Sequence, residues 1–171
     1  IYVTEKIFDT ITQVKNPQGI LAIIEKESSE TEIDFTQDII VILDDVQDPG
    51  NLGTILRTVD SIGLNQIIVS KDTADSFNPK VVRSTMGAIF RVKVIEKENL
   101  IETIKIIRKH HFKLMVTSLQ TENSIYDIDY NKKIIVIGNE ANGVSKEIQD
   151  MADIKAKIPM LGKTESLNAS V

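Results

Sequence analysis

The chain has no cysteine and no tryptophan. The missing thiols exclude disulfides, thiolate metal centres and cysteine nucleophiles, and they fit a reducing, cytoplasmic setting. Histidine is almost as scarce: the only two are neighbours, His110-His111, too few for a His-rich metal site, so no metal is expected. No apolar run is long enough to cross a bilayer, and the start carries no signal-peptide pattern, so no membrane partner is expected. An excess of positive charge is missing too. With net charge −5 and pI near 5.1, the chain is no generic nucleic-acid coat, and any RNA contact must come from a local basic patch. Neither a G-x-x-x-x-G-K-[ST] phosphate loop nor a G-x-G-x-x-G fingerprint after the first strand occurs, which disfavours ATP and nicotinamide chemistry.

What is present reads as one globular domain. The chain has 171 residues, of which 42% are hydrophobic and 26% charged, enough length and apolar content to bury a sizeable core. It opens Ile1-Tyr2-Val3 without a methionine and stops where a helix begins, so it reads as a fragment. Apolar, β-rich runs recur at Gly19–Ile24, Ile39–Leu43, Gln66–Val69, Phe90–Ile95, Lys113–Thr117, Lys133–Ile137 and Ile154–Ile158. Runs such as Ile39–Leu43 are apolar throughout, as strands buried on both faces of a parallel sheet are.

Between the runs lie helical periods. Leu52, Ile55, Leu56, Val59 and Ile62 make the i, i+3, i+4, i+7 stripe of a helix over 51–63. Asn51 is its expected N-cap and Gly63 its C′ residue. Asn78-Pro79 reads as a cap followed by proline at the first helical position. Glu98–His110 carries Leu100, Ile101, Ile104 and Ile107, with His110-His111 complementing its C-terminal dipole. The alternation predicts an α/β fold, an open and mostly parallel sheet with helices on both faces. The acidic, polar stretch Lys26–Asp38 is expected to be a solvated linker or loop.

Ligands of open parallel sheets bind beyond the carboxyl ends of the strands. Three polar, glycine-containing segments are expected there: 44–53, leading into the helix that carries Arg57; Gly138–Ser145; and the closing run Ile158–Val171. Thr117-Ser118-Leu119, ending another strand, is expected to form one wall of the same pocket. Taken alone, the closing run is as consistent with an ordinary connection and helix cap as with a ligand loop. Asp44-Asp45 is a tempting metal pair, but adjacent residues at a strand end point in opposite directions.

Asn51-x-Gly53-x-x-x-Arg57, Gly138-x-Glu140-x-x-Gly143-Val144-Ser145 and Ile158-Pro159-Met160-x-Gly162-x-x-x-Ser166-Leu167-Asn168-x-Ser170-Val171 resemble the three ordered motifs of the SpoU/TrmH RNA ribose 2′-O-methyltransferases. The likeness runs from Ile39 to the end. It implies a C-terminal deep trefoil knot, which periodicity does not reveal, S-adenosylmethionine as cofactor, a homodimer, and RNA as substrate, ribosomal ahead of transfer RNA. Residues 1–25 resemble the junction after an L30e-like substrate-binding domain, which leaves 26–171 as the methyltransferase domain.

By the same resemblance Asn51, Arg57, Glu140, Ser166 and Asn168 are the expected catalytic set. Thr117, Ser118, Leu119, Gly138, Asn139, Glu140, Gly143, Ile158, Met160, Ser166 and Leu167 are expected around the cofactor, Ile158, Leu167 and Gly138 largely through backbone groups. The family assigns Arg57 a role in activating the 2′-hydroxyl. An arginine is a poor base, its pKa exceeding ~12, so phosphate positioning is the preferred role; the bland alternative is a solvated helix arginine. Glu140 is expected to orient Arg57 or Asn51. Lys80, Arg83 and Arg91, with Asn78 and Ser84, are the expected local basic patch for RNA, with a merely solvated face as the alternative. Two rivals differ in class: a noncatalytic RNA-binding or assembly factor that keeps the fold, and a nucleotide-binding oxidoreductase.

Overall fold

The computed structural model describes residues 1–12, 14–25, 32–164 and 166–171. In chain order the elements are α1 (Glu5–Ile11), β1 (Ile39–Asp44), α2 (Pro49–Ser61), β2 (Gln66–Ser70), α3 (Pro79–Ser84), β3 (Lys93–Lys97), α4 (Leu100–Arg108), β4 (Lys113–Thr117), β5 (Lys133–Gly138), α5 (Lys146–Met151) and β6 (Ile154–Ala156). The strands form one six-stranded sheet in the order β3-β2-β1-β5-β4-β6. Every pairing is parallel.

The period-2 geometry of β1 divides its apolar run between two cores. Ile40 and Ile42 face Leu100, Ile104 and Ile107 of α4 and Ile148 of α5. Val41 and Leu43 face Leu52, Ile55, Leu56 and Val59 of α2 and Val81 of α3. Helices thus cover both sheet faces, as the strands' continuous apolar runs require. The ladder aligns Asp44 with Gly138, so β1 and β5 end at the same level. The chain leaving β1 turns to the α2 face and that leaving β5 to the α5 face. Such a divergence at the carboxyl edge opens the crevice where α/β folds bind ligands.

Several expectations change. No strand forms at Gly19–Ile24; Ile20 and Ile23 are exposed, and an apolar run without a partner strand or a core has nothing to hold it extended. Phe90 belongs to a 3-10 turn, Ala88–Phe90, and the strand starts at Lys93. The helix expected to reach His110 ends at Arg108, and its last-turn cations are Lys105 and Arg108. His110 instead stacks on Phe35, ring centroids 3.7 Å apart. The linker expected over Lys26–Asp38 lies outside the described residues as far as Thr31; beyond, Ile33 and Phe35 pack on the α4 side of the core, and Gln66 closes two hydrogen bonds with the Asp34 backbone.

The cap of α2 is another correction. Asp48, not Asn51, accepts the capping bond, from the Asn51 N–H at 2.9 Å, with Pro49 in the first turn. Proline is favoured there because its missing N–H would have lacked a partner anyway. At the other end Gly63 (φ 80°) closes a Schellman motif as expected, its N–H bonding Asp60 and that of Leu64 bonding Val59. Asn78 caps α3 through Lys80 N–H, also as expected.

Candidate active site

The turn after β1 and the loop after β5 are stitched together by short polar side chains. Asp44 Oδ2 accepts from Ser145 N–H at 2.7 Å. Asp45 is left-handed (φ 62°), and Asn139 Nδ2 donates to its carbonyl at 2.9 Å and its carboxylate at 3.2 Å. Asn139 Oδ1 in turn accepts from the N–H groups of Ala141 and Asn142, and the Asn139 and Gly143 backbones pair in both directions. A Cβ on Gly138 would run into the backbone of Gly143 and Val144. Glycine at 138 is therefore demanded by the loop folding back over it, and Gly143 supplies the left-handed turn (φ 70°) that lets it do so. The Asp44-Asp45 pair is spent on these contacts, and no metal-ligating cluster occurs among the described residues.

Held this way, the loop projects Glu140 onto the start of α2. Asn51 Nδ2 donates to Glu140 Oε1 at 2.7 Å, and the N–H groups of Gln47 and Asp48 reach the same carboxylate at 3.3 Å each. Burial would raise the Glu140 carboxyl, but its hydrogen bonds, led by that from Asn51, outweigh this and hold it below the usual glutamate value. A carboxylate only accepts, so the Asn51 amide must turn its NH₂ to Glu140. That leaves Asn51 Oδ1 with no partner among the described residues, in a side chain otherwise packed under the loop. The sequence signal for Gln47 and Asp48 as loop anchors was the Asp-Pro at a helix start.

Arg57 lies two turns into α2, exposed, with no hydrogen bond or ion pair among the described residues. Gly53, one turn earlier, lets α3 approach: a Cβ there would overlap Ser84 and sit 2.9 Å from the Val81 carbonyl oxygen. Of the expected basic patch, Lys80 pairs with Asp48 at 3.4 Å. Arg91 is held by Asp60, donating from Nε and, at 2.7 Å, from Nη2. Arg83 is exposed and without a partner among the described residues.

The remaining expected residues sit at the ends of β4 and β6. Thr117 pairs with Ala156 in the ladder, and Ser118 N–H donates to the Ala156 carbonyl at 3.0 Å, so 117–119 and 156–160 leave the sheet side by side. The backbone N–H groups of Leu119, Ile158 and Met160 have no partner among the described residues. Asn168 opens a turn, its Oδ1 accepting from Ser170 N–H at 2.9 Å. No hydrogen bond among the described residues joins Ser166, Leu167 or Asn168 to Asn51, Arg57 or Glu140. Thus the structure joins Asn51, Asn139, Glu140 and Gly143 in one unit, with Arg57 farther along the same helix. It leaves the closing run without a polar tie to it.

Residues 38–171 match the model of the SpoU rRNA Methylase family. The chain is 32% identical over 169 residues to the 23S rRNA (guanosine(2553)-2′-O)-methyltransferase RlmP of Bacillus subtilis, covering 98% of this chain and 66% of that protein. It is 34% identical to the 23S rRNA (guanosine-2′-O-)-methyltransferase RlmB of Bordetella pertussis, covering 95% of this chain and 69% of that one. The AdoMet-bound rRNA methyltransferase of Sinorhizobium meliloti superposes with a TM-score of 0.87 at 34% identity, over 98% of this chain and 66% of the other. The chain thus spans about two thirds of the length of these relatives. Through its family match, its relatives and its all-parallel fold, this chain belongs to the SpoU rRNA methylase family.

Proposed function

We propose that the protein is an S-adenosylmethionine-dependent RNA 2′-O-methyltransferase acting on structured ribosomal RNA. The observation that carries this reading is the Glu140–Asn51 contact at 2.7 Å, with Arg57, exposed and without a partner among the described residues, farther along the same helix. The strand-end residues fit the proposed cofactor: main-chain donors at Leu119, Ile158 and Met160, without a partner among the described residues, suit the acceptor edge of adenine, and their apolar side chains suit its faces. When bound, the cofactor supplies an electrophilic methyl group on a sulfonium.

The chain's own residues orient the ribose. Glu140 fixes the Asn51 amide, so that Asn51 Oδ1 is free to accept a hydrogen bond from the 2′-hydroxyl. Arg57 forks onto the adjacent phosphate, a role its fixed positive charge and planar donors suit better than proton abstraction. Ser166 and Asn168 supply further polar groups beside cofactor and ribose. The same reading makes the chain past β6 the part that ties the trefoil knot, residues 1–25 the tail of an L30e-like substrate-binding domain, and 26–171 the catalytic domain. It also makes the enzyme a cytoplasmic homodimer; a monomer by light scattering at micromolar concentration contradicts the dimer.

Calorimetry with S-adenosylmethionine and with NAD, followed by ribose-methylation mapping of stripped ribosomal RNA, tests the assignment. Binding of S-adenosylmethionine and a new 2′-O-methyl mark are expected. Binding of NAD alone, or full methyl transfer by Arg57→Ala, overturns it.

A further inference from the structure

We propose that the face shared by α2 and α3 is a track for a single-stranded stretch of RNA. Arg57 and Arg83 hold its phosphates, and the exposed ring of Phe90, across the turn from Met86, receives one of its bases. The inference rests on the RNA-methylating reading above and adds to it where the strand runs and which side chain meets a base outside the reaction centre.

Charge is the first argument. The chain as a whole carries −5, yet no acidic residue occurs from Ser76 to Ile95, a stretch holding Lys80, Arg83, Arg91 and Lys93. The acids at the two ends of α2 form ion pairs within the chain, Asp48 with Lys80 and Asp60 with Arg91. Arg57 and Arg83 are left over, both exposed and both without a partner among the described residues. Two unneutralised guanidiniums on neighbouring helices of an acidic protein suit a polyanion.

Direction is the second. α2 runs beside α3 and the turn that follows it: the Gly50 level of α2 meets Lys80, the Gly53 level meets Val81 and Ser84, and Asp60 meets Arg91, just past the 3-10 turn. Arg57 falls between the last two contacts. The row therefore leads from the Asn51 end of α2, where Glu140 sits, toward the 3-10 turn that bears Phe90.

Exposure is the third. Met86 is 71% and Phe90 70% exposed, although both are large and apolar. Met86 also adopts a left-handed backbone (φ 51°) directly before Gly87 (φ 88°), a conformation that a side chain disfavours. The turn thus throws an apolar side chain into water without packing it. Exposed aromatic rings beside free cations are how single strands are gripped without sequence preference, because every base offers a π-face. Duplex RNA, with its bases stacked away, offers no base to such a ring.

The test uses fluorescence anisotropy with a 12-nucleotide oligoadenylate and a 12-base-pair RNA duplex as probes, on the full chain. Phe90→Ala is expected to weaken oligoadenylate binding about tenfold or more, Phe90→Trp to retain it, and the duplex to be unaffected. Arg83→Ala is expected to reduce the salt slope for oligoadenylate by about 0.7, one phosphate contact on a single strand. Calorimetric affinity for S-adenosylmethionine stays unchanged in all three variants; its absence in the unaltered protein would speak against the methyltransferase assignment and not against the track. Oligoadenylate affinity within twofold of the unaltered protein in a folded Phe90→Ala overturns the proposal. So does a change of oligomeric state in that variant, which would make the ring a protein contact.

Discussion

Asn51 Nδ2 and Glu140 Oε1 meet at 2.7 Å across 89 residues of sequence, and around that contact the candidate site is organised. Neither residue is held by its own element alone. Asn51 stands inside α2 because Asp48 takes the cap, and Glu140 is carried on a loop that Asn139, Gly143 and Asp44 fold back onto the sheet. A capping Asn51 would commit its Oδ1 to a helix N–H; with Asp48 in that place the Oδ1 is left without a partner among the described residues.

Glu140→Gln tests the contact. Both carboxylate oxygens accept hydrogen bonds, from Asn51 and Asp48 on one and Gln47 on the other. An amide must therefore set its NH₂ against at least one donor. The loss expected in urea denaturation is about 1–2 kcal/mol, at the lower end for a partly exposed group. Methyl transfer should fall much further than that stability loss explains, with the variant still folded by circular dichroism.

Arg57→Ala separates chemistry from folding. The side chain is exposed and unpartnered among the described residues, so stability is expected to stay within about 0.5 kcal/mol. Methyl transfer is expected to vanish, while affinity for S-adenosylmethionine by calorimetry stays within about threefold, since the residue is assigned to the RNA side.

Gly53→Ala tests why that position of the motif is glycine. The added methyl meets the Val81 carbonyl oxygen at 2.9 Å and overlaps Ser84, and overpacking of this kind costs about 1–3 kcal/mol. Ser84→Gly in the same chain should restore part of the loss. A double-mutant cycle on thermal midpoints reads the coupling, and strict additivity would place the strain elsewhere.

Acid stability has a specific sign. Thr36, through its hydroxyl and then its backbone N–H, together with Asn65 holds the Asp34 carboxyl down to about 2 from 3.8. Its folded value lies below its unfolded one, so its contribution is complete above about pH 4 and is lost as pH falls toward 2. Asp48, Asp60 and Glu140 are lowered as well and add to the same slope. Asp34→Asn should flatten the fall of Tm between pH 4 and 2 without changing its direction; an unaltered profile would contradict the assignment.

Much of the fold was legible because its signals are local. A strand buried on both faces must be apolar throughout, and a helix lying on a sheet must repeat its apolar residues every three to four positions, so β1, α2 and α4 could be read from Ile39–Leu43, Leu52–Ile62 and Leu100–Ile107. Gly19–Ile24 carries the same apolar signal and forms no strand, because strand formation also depends on a partner edge that composition does not encode. The Asn51 cap was misplaced for a related reason: Asp48 and Asn51 are both good caps, and Pro49 decides between them.

By itself the sequence determined the α/β class, the alternation of elements and the three polar segments that share a sheet edge, since each follows from periodicity and residue chemistry within a few positions. Only the tertiary structure decided which of those polar groups are spent on one another. Asp44 and Asp45 bind the 139–145 loop, Arg91 is taken by Asp60, and Arg57 and Arg83 are left free among the described residues. A hydrogen bond is won by whichever group arrives at 2.7–3.3 Å with the right geometry, and for residues about ninety positions apart that distance is set by strand order and register, not by the residues themselves.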